Sequence, residues 1–410
     1  MTEAPEAAAL AALDPAALLD DLVALVRTPS VTGDERAALE LLHARAAALG
    51  LDAVLREHDL AALRDDPGHP GEEAPRSELR DLRAALPDAR PGAPRLALCG
   101  HVDVVDTGTV PWRHGSPWSG AVEDGWVYGR GSADMKAGVV AVLHALAALR
   151  AAGVAPAFAP ELLAVASEED GGLGAFAALR ADAGYAACVI TEPTAFDVVC
   201  AQAGALTFTG VVRGRAAHAA HRLEGVSAVD RYVPVHLALQ GLEDELNRDV
   251  ADRLMANLAL PYPVNVGRVQ AGAWSSSVPD RLEFEGRAPV RVGETIAEAR
   301  AAVESAVAAV DPAVEVAWTG GQFASCATDP EHPLARAARD AVRRERGAGG
   351  EPAGVPWGAD MRLFAARGIP TVMCGAQGIE VSHAVDERVA VADVVALARV
   401  LIRLCCAYRP

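Results

Sequence analysis

The chain has 410 residues, with 55 acidic against 37 basic side chains, a net charge of −18, 51% hydrophobic and 4% aromatic residues. That length implies two or three domains with sizeable cores, and an acidic balance without a long basic run disfavours nucleic acid and anionic membrane surfaces as partners. The acidic start Met1-Thr-Glu-Ala-Pro-Glu lacks the basic residues of a secretory signal, and no stretch reaches about 18 uncharged apolar residues, so the expected setting is cytoplasmic, with no membrane.

Apolar residues recur at helical spacing over 15–48 and are interrupted by a turn at 28–33, which predicts two helices. The segment 65–94, rich in Pro, Gly and charge, reads as a loop, whereas Arg95-Leu-Ala-Leu-Cys-Gly-His-Val-Asp-Val-Val reads as a buried strand running into a polar end. A helix is expected over 135–151, closed by Gly153. Strands at 162–166 and 187–190 run into Ser-Glu-Glu-Asp-Gly-Gly and Thr-Glu-Pro-Thr. This alternation implies an α/β sheet with helices on its faces. Near Ala203 the pattern changes to an alternating strand from Ala205, a helical stretch over 226–258, strands at 264–270 and 281–289, a helix over 295–310 and a strand at 314–319. That β-α-β-β-α-β order is the order of a small split-βαβ domain inserted in the first. The α/β pattern resumes after about Gly320 and closes with an amphipathic helix over 393–408. The expected division is therefore 1–202 and 321–410 for one domain and 203–320 for the insert. Seven scattered cysteines, Cys99, Cys188, Cys200, Cys326, Cys374, Cys405 and Cys406, form no Cys-x-x-Cys pair and read as reduced core thiols.

Polar residues at the expected strand ends form one set. They are His101 and Asp103 as His-x-Asp, Asp134 in Gly129-Arg-Gly-Ser-Ala-Asp-Met-Lys, Glu168-Glu169, Glu192 and His383. In an open α/β sheet, sites form beyond the carboxyl ends of strands. Two imidazoles with several carboxylates suit Zn2+ or a similar borderline metal, and a shared carboxylate lets one residue bridge two ions. Singly, His-x-Asp is a common surface pair and paired glutamates a common solvated face, but here both follow apolar strands. Asp103 is expected to hold the second nitrogen of a ligating His101. Adjacent Glu168 and Glu169 cannot point the same way on a strand end, which gives one ligand and one base. The glycine-rich loop lacks the marks of a dinucleotide fingerprint or a P-loop, and no Gly-x-Ser-x-Gly elbow is present.

The strings Cys99-Gly-His-Val-Asp-Val-Val, Gly129-Arg-Gly-Ser-Ala-Asp-Met-Lys-Ala-Gly, Ser167-Glu-Glu-Asp-Gly-Gly-Leu-Gly, Thr191-Glu-Pro-Thr and Gly358-Ala-Asp-Met-Arg, with Val381-Ser-His-Ala-Val-Asp-Glu, resemble the M20 metallopeptidase family, and within it acetylornithine deacetylases and succinyl-diaminopimelate desuccinylases. The resemblance implies a zinc-peptidase-like mixed sheet flanked by helices, with 203–320 as an inserted α+β, ferredoxin-like lid and dimerisation domain. It implies two Zn2+, with Co2+ or Mn2+ as substitutes, sharing Asp134; His101 and Glu192 would complete one half-site, Glu169 and His383 the other. Glu168 would be the general base, and the bond from Asp134 to Met135 would be cis. His218, in Gly214-Arg-Ala-Ala-His, matches the histidine that reaches a partner subunit's site in a homodimer, and Asn265 and Arg287 match positions that grip a substrate carboxylate. Two departures, Glu285 where the family more often has Asp and Ala219 after the lid histidine, bear on substrate contacts rather than on the metal site. Ser275-Ser276-Ser277 is read as a loop able to touch substrate.

The expected activity is removal of an acyl group from a small-molecule N-acyl amino acid, with Glu at position 192 favouring deacylases over peptidases and carbamoyl-amide hydrolases of the family. The alternatives are a dipeptidase or carboxypeptidase acting on short peptides, and a metal-stabilised binding protein with a dead site. Against the last stands the presence of Glu168 and of every ligand.

Overall fold

A computed structural model describes residues 3–409. Met1 and Thr2 of the acidic start lie outside them. The chain forms two compact units, one of Met1–Cys200, Thr328–Ala353 and Leu363–Pro410, the other of Ala201–Ala327 and Gly354–Arg362.

In the first unit the main sheet runs, in spatial order, Asp52–Glu57, Arg80–Ala85, Ala159–Val165, Arg95–His101, Tyr185–Ile190, Thr371–Met373 and Val198–Gln202. The first two pairings are antiparallel, the next three parallel and the last antiparallel, so the sheet is mixed. The four central strands all point the same way. Their carboxyl ends therefore emerge along one edge, and His101 lies opposite Val165 while Cys99 lies opposite Ile190. Arg95–His101 is almost wholly buried, which fits its continuous apolar run in the middle of a parallel set.

Helix Ala137–Ala151 is buried nearly all round, between the central strands and helix Val391–Ala407. Together with the turn before it, Ser132–Ala151 is the one helical stretch among the described residues long and apolar enough to cross a membrane, and 94% of its most apolar 18-residue window is buried inside the protein, so its apolarity serves the core. Helix Pro15–Val26 begins where Asp14 accepts the N–H groups of Ala16 and Ala17 at 2.9 and 3.1 Å and proline takes the first position.

Two stretches of the first unit show where the structure departs from the sequence expectation. The segment 65–94 holds a buried sheet strand, Arg80–Ala85, rather than loop alone. Its composition reads as solvated, but Asp81 pairs with His58 at 2.5 Å and Arg83 with Asp182 at 2.7 Å, so both side chains find polar partners where they are buried. The first ten-residue helix, Glu3–Ala12, was not expected either; it docks through Glu6, which accepts from Arg344 at 2.7 Å and Arg403 at 2.5 Å.

The second unit carries a four-stranded antiparallel sheet in the order Asn265–Ala271, Arg281–Val290, Gly204–Arg213, Glu315–Phe323. Helices Ala228–Leu246 and Ile296–Val310 pack on it and on each other. With chain order β-α-β-β-α-β this is a ferredoxin-like arrangement. Its core joins Leu206, Val290 and Ala299 to Ile296 and Trp318. The helix expected to reach 258 ends at Leu246, because the Asn247 amide donates to the carbonyls of Glu243 and Tyr262 at 2.8 and 2.9 Å and turns the chain.

Candidate metal centre

The parallel strand ends bring the polar set together. His101 closes its strand; Glu168 and Glu169 follow Ala159–Val165 on one side of it, and Glu192 follows Tyr185–Ile190 on the other. Asp134 comes from the turn Ser132–Lys136 that opens the central helix, with a cis bond to Met135. His383 lies on the loop after Thr371–Met373.

The carboxylate of Asp134 stands between two imidazoles. Its Oδ1 is 3.2 Å from His101 Nε2 and its Oδ2 is 3.4 Å from His383 Nε2. Beyond His101 lies Glu192 at 3.8 Å, and beyond His383 lies Glu169 at 3.2 Å. Donor atoms of His101, Glu168 and Glu192, and of His101, Asp134 and Glu169, fall within 4.8 Å of one another. Two nitrogen donors and four carboxylates gathered at one sheet edge, with His101, Asp134, Glu168 and Glu192 buried and His383 exposed, are a donor set for divalent cations. Such a concentration of negative charge is costly to bury without a counter-ion.

Electrostatics at the centre points the same way. Burial alone depresses the His101 imidazolium, but the bond to Asp134 and the charges of Glu192, Asp103 and Glu168 outweigh it and hold its pKa well above the ordinary value. Bonds to Asp134 and Glu169 push His383 up to about 10. Asp134 is held well below the usual carboxylate range, the bonds from both imidazoles outweighing burial. Burial raises Glu169.

Asp103 acts differently from the expectation. Its carboxylate lies 3.6 Å from His101 Nδ1, and it is the Asp103 main-chain carbonyl that accepts the Nδ1–H, at 2.8 Å. The carboxylate instead accepts the N–H groups of Glu168 and Glu169, each at 3.1 Å, and the Thr32 hydroxyl at 3.2 Å. One residue therefore orients the imidazole with its backbone and the Glu168-Glu169 turn with its side chain.

Several side chains behind the centre have roles that the sequence does not mark. Asp170 accepts the N–H groups of Glu73 and Ala74 at 3.0 and 2.8 Å, tying part of the 65–94 segment to the turn that carries Glu168 and Glu169. Lys136 is fully buried and donates to the carbonyls of Leu25 and Thr28 at 3.1 and 2.9 Å; burial pushes its pKa down to about 7. Arg130 and Glu387 form a buried ion pair at 2.7 Å. Burial raises the Glu387 carboxyl. Both stand inside strings that the family resemblance already rests on, but nothing in composition marks a charge as buried.

The remaining expected site residues belong to the second unit. His218 is exposed at the start of a short 3-10 turn, its Nδ1 accepting the Ala220 N–H at 3.1 Å and its backbone paired with Ser277. The serine loop is thus its immediate neighbour. Asn265 and Arg287 face each other in register on adjacent strands, and both are exposed.

Residues 97–407 match the model of peptidase family M20/M25/M40, and the chain belongs to that family. It is accordingly a hydrolase of the amide-cleaving class. It is 29% identical to a succinyl-diaminopimelate desuccinylase from Methylobacterium radiotolerans, over 94% of this chain and 95% of that one. Its fold matches that of a di-peptidase from Saccharomyces cerevisiae with a TM-score of 0.77 at 14% identity, over 100% of this chain and 99% of that one. It also matches a dinuclear metal binding peptidase from Bacillus subtilis with a TM-score of 0.65 at 15% identity, over 96% and 97%.

Proposed function

We propose that the protein is a two-metal hydrolase that removes the acyl group from a small N-acyl amino acid in the cytoplasm. The observation that carries the reading is the position of the Asp134 carboxylate, with one oxygen toward His101 and Glu192 and the other toward His383 and Glu169. His101, Glu192 and Asp134 would hold one ion, and Asp134, Glu169 and His383 the second, with Zn2+ favoured by the imidazole and carboxylate donors and Co2+ or Mn2+ as substitutes. The likeness to a dinuclear metal binding peptidase supports the count of two. Bound ions supply Lewis acidity, polarising the scissile carbonyl and lowering the pKa of water.

The chain's own residues do the rest. Glu168, on the turn fixed by Asp103, accepts the proton of the attacking water and returns it to the leaving amine. Asn265 and Arg287 take the substrate's carboxylate. His218 stabilises the oxyanion in the neighbouring subunit of a homodimer. An exposed apolar stripe on helix Ala228–Leu246, Val229, Val233 and Leu237 at four-residue spacing, supports a covering partner.

A deacylase is favoured over a dipeptidase by Glu192 and by the desuccinylase relative. The test is mass-spectrometric detection of amine release from a panel of N-acetyl, N-succinyl and N-carbamoyl amino acids and free dipeptides. Cleavage of one N-acyl class is expected. Preferred cleavage of peptides with a free α-amino group would move the assignment to a dipeptidase.

A further inference from the structure

Behind the metal cluster lies an ion pair that offers no atom to it. Arg130 is 2% exposed and Glu387 fully buried. The two are brought together by a small antiparallel sheet. Arg130 follows strand Trp126–Tyr128, Glu387 precedes strand Arg388–Ala390, Arg388 pairs with Tyr128, and the Gly129 N–H donates to the Glu387 carbonyl at 2.9 Å.

What this pair touches is the main chain of the site. Arg130 Nη1 donates to Glu387 Oε2 at 2.7 Å, while Nη2 donates to the His383 carbonyl at 3.2 Å and to the Asp106 carbonyl at 3.4 Å. The other Glu387 oxygen accepts the N–H groups of Ala133 and Asp134 at 2.9 and 3.1 Å. One guanidinium fork and one carboxylate therefore fasten His383 by its own carbonyl, Asp134 by its own amide, and the segment after His101 and Asp103. An ion pair retained only for stability could be replaced by apolar side chains at little cost. This one is shaped to the backbone of two residues of the cluster, using the planar fork that distinguishes Arg from Lys.

The two halves of the cluster depend on it unequally. His101 and Glu192 stand at the ends of central strands and are buried. The His383 side chain is 53% exposed, on a loop where its own φ is +62°. Its distance from Asp134 is set by whatever holds that loop.

We propose that Arg130 and Glu387 are positioning residues that set the spacing of His383 and Asp134, and so determine how tightly the His383–Glu169 half of the centre holds its ion. The inference rests on the two-metal reading of the cluster. Apo protein, Arg130→Gln and Glu387→Gln are titrated with Zn2+ against a chromophoric chelator and with Co2+ followed by its visible absorption, and turnover is then measured across added Zn2+. The expected result is one equivalent bound as tightly as in the unsubstituted chain. The second should be weakened about ten- to a hundredfold, with an altered Co2+ band, and turnover should be restored by excess metal.

Two unchanged equivalents with unchanged spectra overturn the proposal. So does uniform loss of both ions, or failure of both variants to reach the circular dichroism of the unsubstituted chain, since the pair then only holds the fold. Fewer than two ions in the unsubstituted protein would overturn the two-metal reading itself, and this outcome shows before any substitution is made.

Discussion

At the scale of residues, the centre is organised by one carboxylate, Asp134, whose two oxygens face imidazoles 3.2 and 3.4 Å away. Both histidines have raised pKa values without metal, His383 up to about 10, through their bonds to carboxylates. A metal needs the neutral ring, so binding must expel protons. Affinity should therefore rise with pH, by up to about tenfold per unit for each proton displaced, and level off as pH passes about 10. Calorimetric metal titrations in buffers of different ionisation enthalpy check this; affinity independent of pH would contradict it. The sign for the metal-free fold is opposite. A histidine pKa raised from 6.5 to about 10 contributes stability that is fully present below 6.5 and lost as pH rises through 10.

At the scale of elements, the site depends on a helix approaching strand ends closely. A Cβ on Gly138, in helix Ala137–Ala151, would lie 2.5 Å from the carbonyl oxygen of Thr191, the residue before Glu192. Alanine is the better helix former by about 1 kcal/mol, yet overpacking costs about 1–3 kcal/mol, and a backbone oxygen cannot rotate away. Gly138→Ala should therefore lower the urea midpoint, and an unchanged or higher midpoint would show that the helix shifts freely. The elements that carry the site were legible because apolar runs ended abruptly in His-x-Asp, Glu-Glu and Thr-Glu. Strand Arg80–Ala85 was not, because Asp81 and Arg83 read as solvent-facing until their partners His58 and Asp182 are known. The division of labour in Asp103, carbonyl to His101 and carboxylate to the Glu168-Glu169 turn, was equally hidden, since it depends on the path of the backbone rather than on residue type. Arg130 and Glu387 are 257 residues apart in the chain. No local pattern joins them.

At the scale of the whole molecule, the proposed active unit is a homodimer in which His218 serves the partner's centre. Mixing inactive His218→Ala and Glu168→Ala chains should then restore activity, because one site of each mixed dimer has both groups; at equal mixing with random pairing the recovery is about a quarter of the unsubstituted rate. No recovery after confirmed subunit exchange would place His218 in its own chain's site or outside catalysis. The central claim, that a two-metal centre uses Glu168 as proton carrier rather than as ligand, is tested most directly by the turnover of Glu168→Gln with its metal content determined on the same sample. Two ions per chain and a rate lower by at least about three orders of magnitude are expected. Undiminished turnover, or loss of an ion on substitution, would contradict it.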